Sequence, residues 1–292
     1  MTATPGQGTL PADTQIGRTA LRVGDLDSVV RFYTDVIGLT GIDHEPDKAT
    51  LGVGESPLLV VTQVDASPER ARTGAGLFHT AFRVPSRAAL GAALSRITER
   101  WQLDGASDHG VSEALYLTDP EGNGVEVYHD RPRETWSVTD DGTVSMVTAP
   151  LELGAVASAA GTSADAHDPA RVPPGTDIGH VHLEVTSLPA FESVYVDGIG
   201  FETGMTGPDV RFVGAGGYHH HIAANTWQRR TTPAAGRGLA WFEVLVPDQA
   251  ATLAIRDRFD ALDPDVDTAL TERDDGLDVT DADGITVRIR IE

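Results

Sequence analysis

The chain has 292 residues, of which 40% are hydrophobic, so it is long and apolar enough to form two ordinary globular domains. It has no apolar run close to the ~18 residues that a membrane span requires, and its polar N-terminus lacks the basic and apolar regions of a signal peptide, so we expect a cytoplasmic location. The absence of cysteine excludes disulfides, thiolate metal sites and cysteine nucleophiles, and a net charge of −22 disfavours nucleic acid and anionic membranes as partners.

The first predicted elements are a strand and a helix. The segment RTALRV at 18–23 alternates apolar and polar side chains, as half-buried strands do. The segment DLDSVVRFYTDVIGL follows and predicts a helix, with Asp25 as its N-cap and Gly38 at its end. Short strands such as LLVVT complete a β-α-β-β-β module. In the next module, DPEGNG at 119–124 predicts a β-turn between the last two strands and not a phosphate-binding loop.

This module recurs along the chain. Five blocks of the N-terminal half align with blocks of the C-terminal half at a constant offset of 162 residues, for example IGRTALRV with IGHVHLEV. Within the first half, RTALRV and HTAFRV are related by an offset of 61 residues. We therefore predict an α+β fold of four β-α-β-β-β modules, arranged as two domains at 1–137 and 176–292. Residues 138–175 have few large apolar side chains and predict a linker, with room for one short helix at LELGAVASAA.

The motifs GLFHTAF, DHGVSEALYLTDPEGNGVEVY, IGHVHLEV and GGYHHH resemble those of the vicinal oxygen chelate superfamily. Its members include glyoxalase I, bleomycin resistance proteins and extradiol dioxygenases, and the chain looks most similar to the two-domain catechol 2,3-dioxygenase type. The resemblance implies that modules pair into two half-open barrels, each able to hold one metal. It also implies Fe(II) as cofactor, with Mn, Zn or Ni as alternatives, and a small aromatic substrate together with O2. Family members often assemble into homo-oligomers.

The resemblance also indicates where metal ligands should lie. In the first domain the three ligand positions hold Arg18, His79 and Glu126, and in the second domain they hold His180, Trp241 and Arg288. Neither domain by itself then carries a complete His-His-Glu triad. We interpret His79 and Glu126 as metal ligands because both match ligand positions of the family, and an inward-facing carboxylate needs a metal or an arginine to compensate it. The alternative for His79 is a hydrogen-bonded polar residue of a sheet. The alternative is a metal-free first domain in which Arg18 and Glu126 form a structural ion pair.

Two further residues of the first domain match positions that face the substrate in extradiol enzymes. His109 is a candidate acid–base group, and Tyr116 is a candidate hydrogen-bond partner of a bound catecholate. The structural alternative for His109 is a turn residue beside Asp108.

The second domain offers histidines as ligands. Strand alternation places His180, His182 and Glu184 on one face of a strand. The segment YHHHIAA also predicts a strand, so alternation separates His220 from its neighbours His219 and His221, and we favour His220 pointing inward. A site of His180, His182 and His220 would suit Zn, Fe or Cu, although Arg288 would repel a cation. The alternative is a polar histidine cluster that binds an aromatic or anionic ligand.

Composition adds one expectation about the source. Lys48 is the one lysine among 22 basic residues. Acidic, nearly lysine-free proteins are typical of halophiles, in which concentrated salt screens the repulsion between carboxylates. An acidic protein from a GC-rich genome, which also favours arginine, is the alternative.

Three functions are compatible with these residues. The leading hypothesis is a metal-dependent extradiol ring-cleaving dioxygenase acting on catechol-like aromatics, with ligands among His79, Glu126, His180 and His220. A glyoxalase-like isomerase or lyase would need metal but no O2. A non-catalytic binding or resistance module is favoured by the incomplete triads.

Overall fold

The computed structural model describes residues 10–64, 66–160 and 168–292. It confirms the predicted α+β class and the four β-α-β-β-β modules. The first module contains β1 Gln15–Val23, α1 Leu26–Phe32, β2 Thr40–Glu45, β3 Lys48–Val53 and β4 Ser56–Gln63; the second contains β5 Gly76–Arg83, α2 Arg87–Arg100, β6 Gly105–Asp108, β7 Ser112–Thr118 and β8 Gly124–Asp130. After β9 Ala149–Pro150 and α3 Leu153–Ala159, the third contains β10 Asp177–Glu184, α4 Leu188–Glu192, β11 Glu202–Gly207, β12 Val210–Gly214 and β13 Ile222–Asn225, and the fourth contains β14 Gly238–Val246, α5 Gln249–Asp260, β15 Ala269–Arg273, β16 Gly276–Thr280 and β17 Thr286–Ile291.

Every module has the same strand topology. Its first strand runs parallel to its last, as β5 does to β8 and β10 to β13, and its last three strands form an antiparallel meander. The strands form two sheets, an eight-stranded one of order β15-β16-β17-β14-β1-β4-β3-β2 and a nine-stranded one of order β11-β12-β13-β10-β5-β8-β7-β6-β9. In this order β10 is next to β5.

The chain divides into two compact units. One comprises residues 18–67 and 79–179, and its buried core includes Phe82, Leu90 and Tyr128. The other comprises residues 1–17, 68–78 and 180–292, with Phe201 and Phe242 in its core. The predicted boundaries at 137 and 176 remain predictions. None of the helices in the described ranges is long and apolar enough to cross a membrane.

The predicted caps of α1 are confirmed. Asp25 is extended, and its carboxylate accepts a hydrogen bond from the backbone N–H of Ser28 at 2.9 Å. The helical segment that begins with α1 continues past Phe32 and ends at Gly38, which adopts a left-handed φ of 95° that favours glycine. The structure differs from the prediction of one regular helix, because Tyr33–Ile37 forms a π-helical turn. Within it Tyr33 is buried, and its hydroxyl donates to Asp119 of the DPEGNG turn at 3.4 Å.

The predicted linker holds the expected short helix, α3 Leu153–Ala159, and is packed where the structure describes it. The buried guanidinium of Arg96 on α2 donates to the carbonyls of Ile37 and Pro169 at 2.8 and 2.9 Å. Burial lowers the pKa of Arg96 to about 10. Arg171 donates to the carbonyl of Leu39 at 2.8 Å. Residues 168–172 are therefore fixed to the end of the π-helical turn.

The third module repeats the tyrosine–aspartate contact and predicts a pH dependence of stability. The hydroxyl of Tyr195 donates to Asp281 at 3.0 Å, and burial raises the pKa of Asp281 to about 7. In the unfolded chain an aspartate has a pKa of ~3.9. The folded state therefore retains a proton that the unfolded state loses, so this carboxyl lowers the free energy of unfolding as pH rises from about 4 to 7, by about 4 kcal/mol at most.

We expect Asp281→Asn to reduce this pH dependence, because an amide does not ionise. Urea unfolding at pH 5 and pH 7.5 would measure it. The exposed variant Glu55→Gln is the control and should keep the wild-type dependence. Equal pH slopes for Asp281→Asn and the wild type would contradict this role.

Candidate metal centre

His79 and Glu126 face each other on neighbouring parallel strands. In the register of β5 and β8, Ala81 lies opposite Glu126, so strand alternation places His79 and Glu126 on the same face. His79 Nε2 and Glu126 Oε2 are 3.0 Å apart, and Glu126 is only 2% exposed. A carboxylate so deeply buried needs a cation or strong hydrogen bonds to offset its desolvation.

His180 on β10 completes a group of three potential metal ligands. One ligand atom from each of His79, Glu126 and His180 lies within 4.8 Å of the other two, and all three residues are buried. In residues 10–64, 66–160 and 168–292 no other set of three histidine, aspartate or glutamate side chains does so. Two imidazoles and one carboxylate suit a divalent transition metal such as Fe(II), Mn, Zn or Ni, so the donor set fits the cofactor that was expected.

This grouping differs from the sequence expectation that ligands combine within each half. The equivalents of Glu126 and His79 in the C-terminal half are Arg288 and Trp241, which lie on β17 and β14 of the other sheet. The Arg288 guanidinium stacks over the Trp241 ring at 4.0 Å from its centroid. The carboxylate that lies beside His180 is therefore Glu126, and Arg288 does not occupy the third ligand position. The alternative partner of Glu126, Arg18, likewise lies on a strand of the other sheet, β1.

His109 and Tyr116 form a hydrogen-bonded pair beside Glu126. His109 lies in the turn between β6 and β7, and its Nδ1 donates to the backbone carbonyl of Val147 at 2.7 Å. A carbonyl only accepts, so in the neutral ring His109 Nε2 is an acceptor, 2.7 Å from the Tyr116 hydroxyl. Tyr116 lies directly opposite Glu126 across β7 and β8, and its ring centroid is 5.7 Å from that of His79.

The Tyr116 hydroxyl is held as a neutral phenol. Burial, followed by the charge of Glu126 and a hydrogen bond with it, raises the pKa of Tyr116 well above its usual value. The hydroxyl thus has two partners for its single hydrogen, Glu126 and His109. Both predicted catalytic residues lie within one or two hydrogen bonds of a candidate ligand. His109 is also a turn residue, as the structural alternative predicted. Its backbone N–H donates to the carbonyl of Ser112 at 2.8 Å and closes the turn.

The prediction that the histidine triplet lies in a strand is wrong. β13 begins only at Ile222, and the preceding residues form a turn in which Gly216 and Gly217 adopt φ values of 60° and 66°. Alternation therefore does not apply, and His219, His220 and His221 are all buried. The rings of His180 and His220 are 4.1 Å apart, and His219 Nδ1 lies 2.8 Å from His220 Nδ1. His221 instead accepts a hydrogen bond from the backbone N–H of Ala215 at 3.2 Å.

The other residues on the His180 face of β10 have different partners. His182 Nε2 lies 3.0 Å from Asn225 Nδ2, so an amide holds this ring. Glu184 is clamped by Arg70 at 2.9 Å and by Arg230 at 2.8 Å. Within the described residues, the ligand atoms of His180, His182 and His220 do not come together as those of His79, Glu126 and His180 do. Asn225 and both arginines were not identified from sequence, because their role depends on contacts between distant segments.

Gly179 is a further residue that sequence reasoning missed. A Cβ at this position would lie 1.7 Å from the hydroxyl oxygen of Tyr128, which is fully buried. The glycine therefore permits close contact immediately before His180. The repeat contains a signal for it, because IGH at 178–180 aligns with IGR at 16–18, where a Cβ on Gly17 would also be too close to a neighbour, with Glu243 Cβ at 2.9 Å.

We expect Gly179→Ala to weaken metal binding at His180 by about 10- to 100-fold, as changes that misplace a ligand do. Chelator competition with Zn(II) would measure the affinity, and thermal unfolding would report the accompanying loss of stability. Gly41→Ala is the matched control, since nothing lies within 4 Å of its Cβ. Unchanged Zn(II) affinity in Gly179→Ala would show that the position of His180 does not depend on this glycine.

Comparison with known proteins identifies a matching family model and a similar sequence. Residues 15–127 match the model of the Glyoxalase/Bleomycin resistance protein/Dioxygenase superfamily. A catechol-2,3-dioxygenase of Bacillus subtilis (strain 168) is 37% identical over 246 residues, which cover 81% of this chain and 84% of the relative.

Solved structures show the same fold over nearly the whole chain. A crystal structure from Bacillus subtilis has a TM-score of 0.63 with 13% identity and covers 95% of this chain and 84% of its own. Glyoxalase I from Zea mays has a TM-score of 0.57 with 15% identity, covering 96% of this chain and 92% of its own. The solved structures show the fold, and the 37% identical relative together with the matched family model establishes that the chain belongs to the Glyoxalase/Bleomycin resistance protein/Dioxygenase superfamily.

Proposed function

We propose that the protein is a non-haem, metal-dependent extradiol dioxygenase that opens catechol-like aromatic rings with O2. The observation that carries the proposal is the buried group of His79, Glu126 and His180. Two histidines and one carboxylate form the ligand set of non-haem Fe(II) oxygenases, which leaves coordination positions for substrate and O2. The name of the relative from Bacillus subtilis, a catechol-2,3-dioxygenase, supports the same reaction.

The three residues would hold Fe(II). When bound, the metal would act as a Lewis acid towards the two vicinal oxygens of the substrate and as the centre of O2 reduction. Mn, Zn or Ni would fit the same donors.

The chain itself supplies the proton chemistry. A catechol hydroxyl that approaches Tyr116 can pass its proton to the Tyr116 oxygen while the tyrosine hydrogen moves to His109 Nε2, along the 2.7 Å hydrogen bond between them. The Val147 carbonyl accepts from His109 Nδ1 at 2.7 Å and would stabilise the imidazolium that forms. His109 can return the same proton later in the reaction. Burial of the three ligands limits the access of water to these steps.

The test is the reaction itself. Protein purified without a tag, loaded anaerobically with Fe(II) and assayed in both low and high salt, should consume one O2 per catechol and form a yellow ring-opened product. Absence of both oxygen uptake and product across a panel of catechols would overturn the proposal. Metal-dependent turnover of an α-keto hemithioacetal without oxygen would instead identify a glyoxalase-like isomerase. The group of His79, Glu126 and His180 favours a metal-dependent enzyme over a non-catalytic binding module, which the incomplete triads of the single domains had favoured.

A further inference from the structure

Four aromatic side chains lie together on the face of β10 that carries His180. His182 follows His180 by two residues, so its side chain points to the same face. Phe78, Trp227 and Phe212 surround it, with ring centroids 4.9, 5.4 and 6.1 Å from that of His182. Phe78 and Trp227 also contact each other at 5.5 Å. We refer to Phe78, His182, Phe212 and Trp227 as the aromatic wall.

The aromatic wall continues from the candidate ligand His180. The ring of His220 is 4.1 Å from that of His180 and 4.9 Å from that of Phe212. Along the strand, His182 is about 7 Å from His180. A ligand held beside His180 that extends along β10 would therefore place its more distant atoms against the wall.

Hydrogen bonds fix the His182 ring as part of this wall. The backbone N–H of Trp227 donates to Asn225 Oδ1 at 3.1 Å, which sets the orientation of the Asn225 amide. Asn225 Nδ2 then donates to the carbonyl of Leu183 at 3.3 Å and to His182 Nε2 at 3.0 Å. His182 Nε2 is thus an acceptor, held by an amide and not directed at a metal.

An ion-pair clamp holds the two segments that carry the outer rings. Glu184, two residues after His182, binds Arg70 at 2.9 Å and Arg230 at 2.8 Å. Arg70 also donates to the carbonyl of Leu77, next to Phe78, at 2.7 Å. Arg230 follows Trp227 by three residues. The wall is therefore supported before any ligand binds, which lowers the entropic cost of binding.

The wall extends from the interior to the surface. His182 is buried, whereas Trp227 is 49% exposed. Large aromatic side chains exposed beside a buried polar centre are typical of ligand contacts. We infer that the aromatic wall binds a second aromatic ring of the substrate, so that the preferred substrates are catechols bearing an aryl group. That the substrate is a catechol rests on the proposed dioxygenase function. That it bears an aryl group rests on the aromatic wall alone.

The wall can be tested without metal or turnover. The probe is 2-hydroxybiphenyl, which has two rings but no vicinal hydroxyl pair, titrated calorimetrically into metal-free protein. We expect Trp227→Leu to raise its Kd about tenfold, since stacking and buried area are lost together. Trp101→Leu is the matched control and should change the Kd less than twofold; this tryptophan is 39% exposed, contacts Phe32 and donates to the Thr118 carbonyl at 2.8 Å. No binding to the wild type, or equal affinity for wild type and Trp227→Leu, would overturn the inference.

Turnover separates this inference from the proposed function. With Fe(II)-loaded enzyme, Trp227→Leu should lower kcat/KM for 2,3-dihydroxybiphenyl about tenfold while changing that for catechol less than twofold. An equal effect on both substrates, or no effect on either, would contradict the proposed role of the aromatic wall in binding an aryl group. If the wild type cleaves neither catechol nor 2,3-dihydroxybiphenyl, the proposed function fails. The binding experiment then still decides whether the aromatic wall binds a biaryl ligand.

Discussion

Glu126→Gln is expected to lower Fe(II) affinity by at least ~100-fold and to abolish oxygen uptake with catechol. The substitution keeps the size of the side chain but removes the only negative charge among His79, Glu126 and His180, and a divalent cation binds two neutral imidazoles and an amide far more weakly. Metal content after dialysis and oxygen uptake would measure the two effects.

A buried carboxylate of the same sheet provides the control. Glu113 on β7 is also buried, but it pairs with Arg87 at 2.6 Å and with Arg131 at 3.2 Å. Glu113→Gln should therefore cost stability while leaving Fe(II) stoichiometry unchanged. Full Fe(II) binding by Glu126→Gln, or equal loss of metal in both variants, would show that Glu126 is not a ligand.

Tyr116→Phe is expected to reduce kcat by about 10²- to 10⁴-fold, the usual contribution of a positioned acid–base group, with Fe(II) content unchanged. The substitution removes the oxygen that links Glu126 to His109 and leaves the aromatic ring in place. Single-turnover rates with Fe(II)-loaded protein would measure it.

The pair of residues should act as one unit. His109→Ala and the double variant with Tyr116→Phe should then lose about as much activity as Tyr116→Phe alone, because removing either member interrupts the same proton path. If the two single losses of activity multiply in the double variant, His109 and Tyr116 act independently, and the proposed proton path from Tyr116 to His109 is wrong.

Much of the fold follows from local pattern. The offset of 162 residues identified four equivalent modules, and the N-cap Asp25 and the terminal Gly38 have the conformations that their residue types favour. His79, Glu126 and His180 were each identified as ligand candidates, since each occupies a ligand position of its module. Local sequence is informative here because caps, strands and turns depend on residues close in the chain.

The combination of the three ligands could not be predicted in the same way. The resemblance implied that consecutive modules pair into one half-open barrel around one metal, so the ligands were expected to combine within each half of the chain. In the nine-stranded sheet, however, β5 lies between β8 and β10, the last strand of its own module and the first strand of the next. A repeat shows which strands are equivalent, but the order of strands in a sheet is decided by tertiary packing.

The histidine triplet shows a different limit. Alternation was applied to GGYHHH as if it were a strand, whereas Gly216 and Gly217 reverse the chain before it. A Gly-Gly pair is itself a turn signal. The turn formed by these two glycines outweighs the strand pattern of the residues that follow.

The most direct test of the central claim is an anomalous-scattering map of crystals of Fe(II)-loaded protein, recorded on both sides of the iron absorption edge. We predict one peak within bonding distance of His79, Glu126 and His180. A peak beside His180 and His220 without Glu126, or beside Trp241 and Arg288, would contradict the assignment of the metal centre.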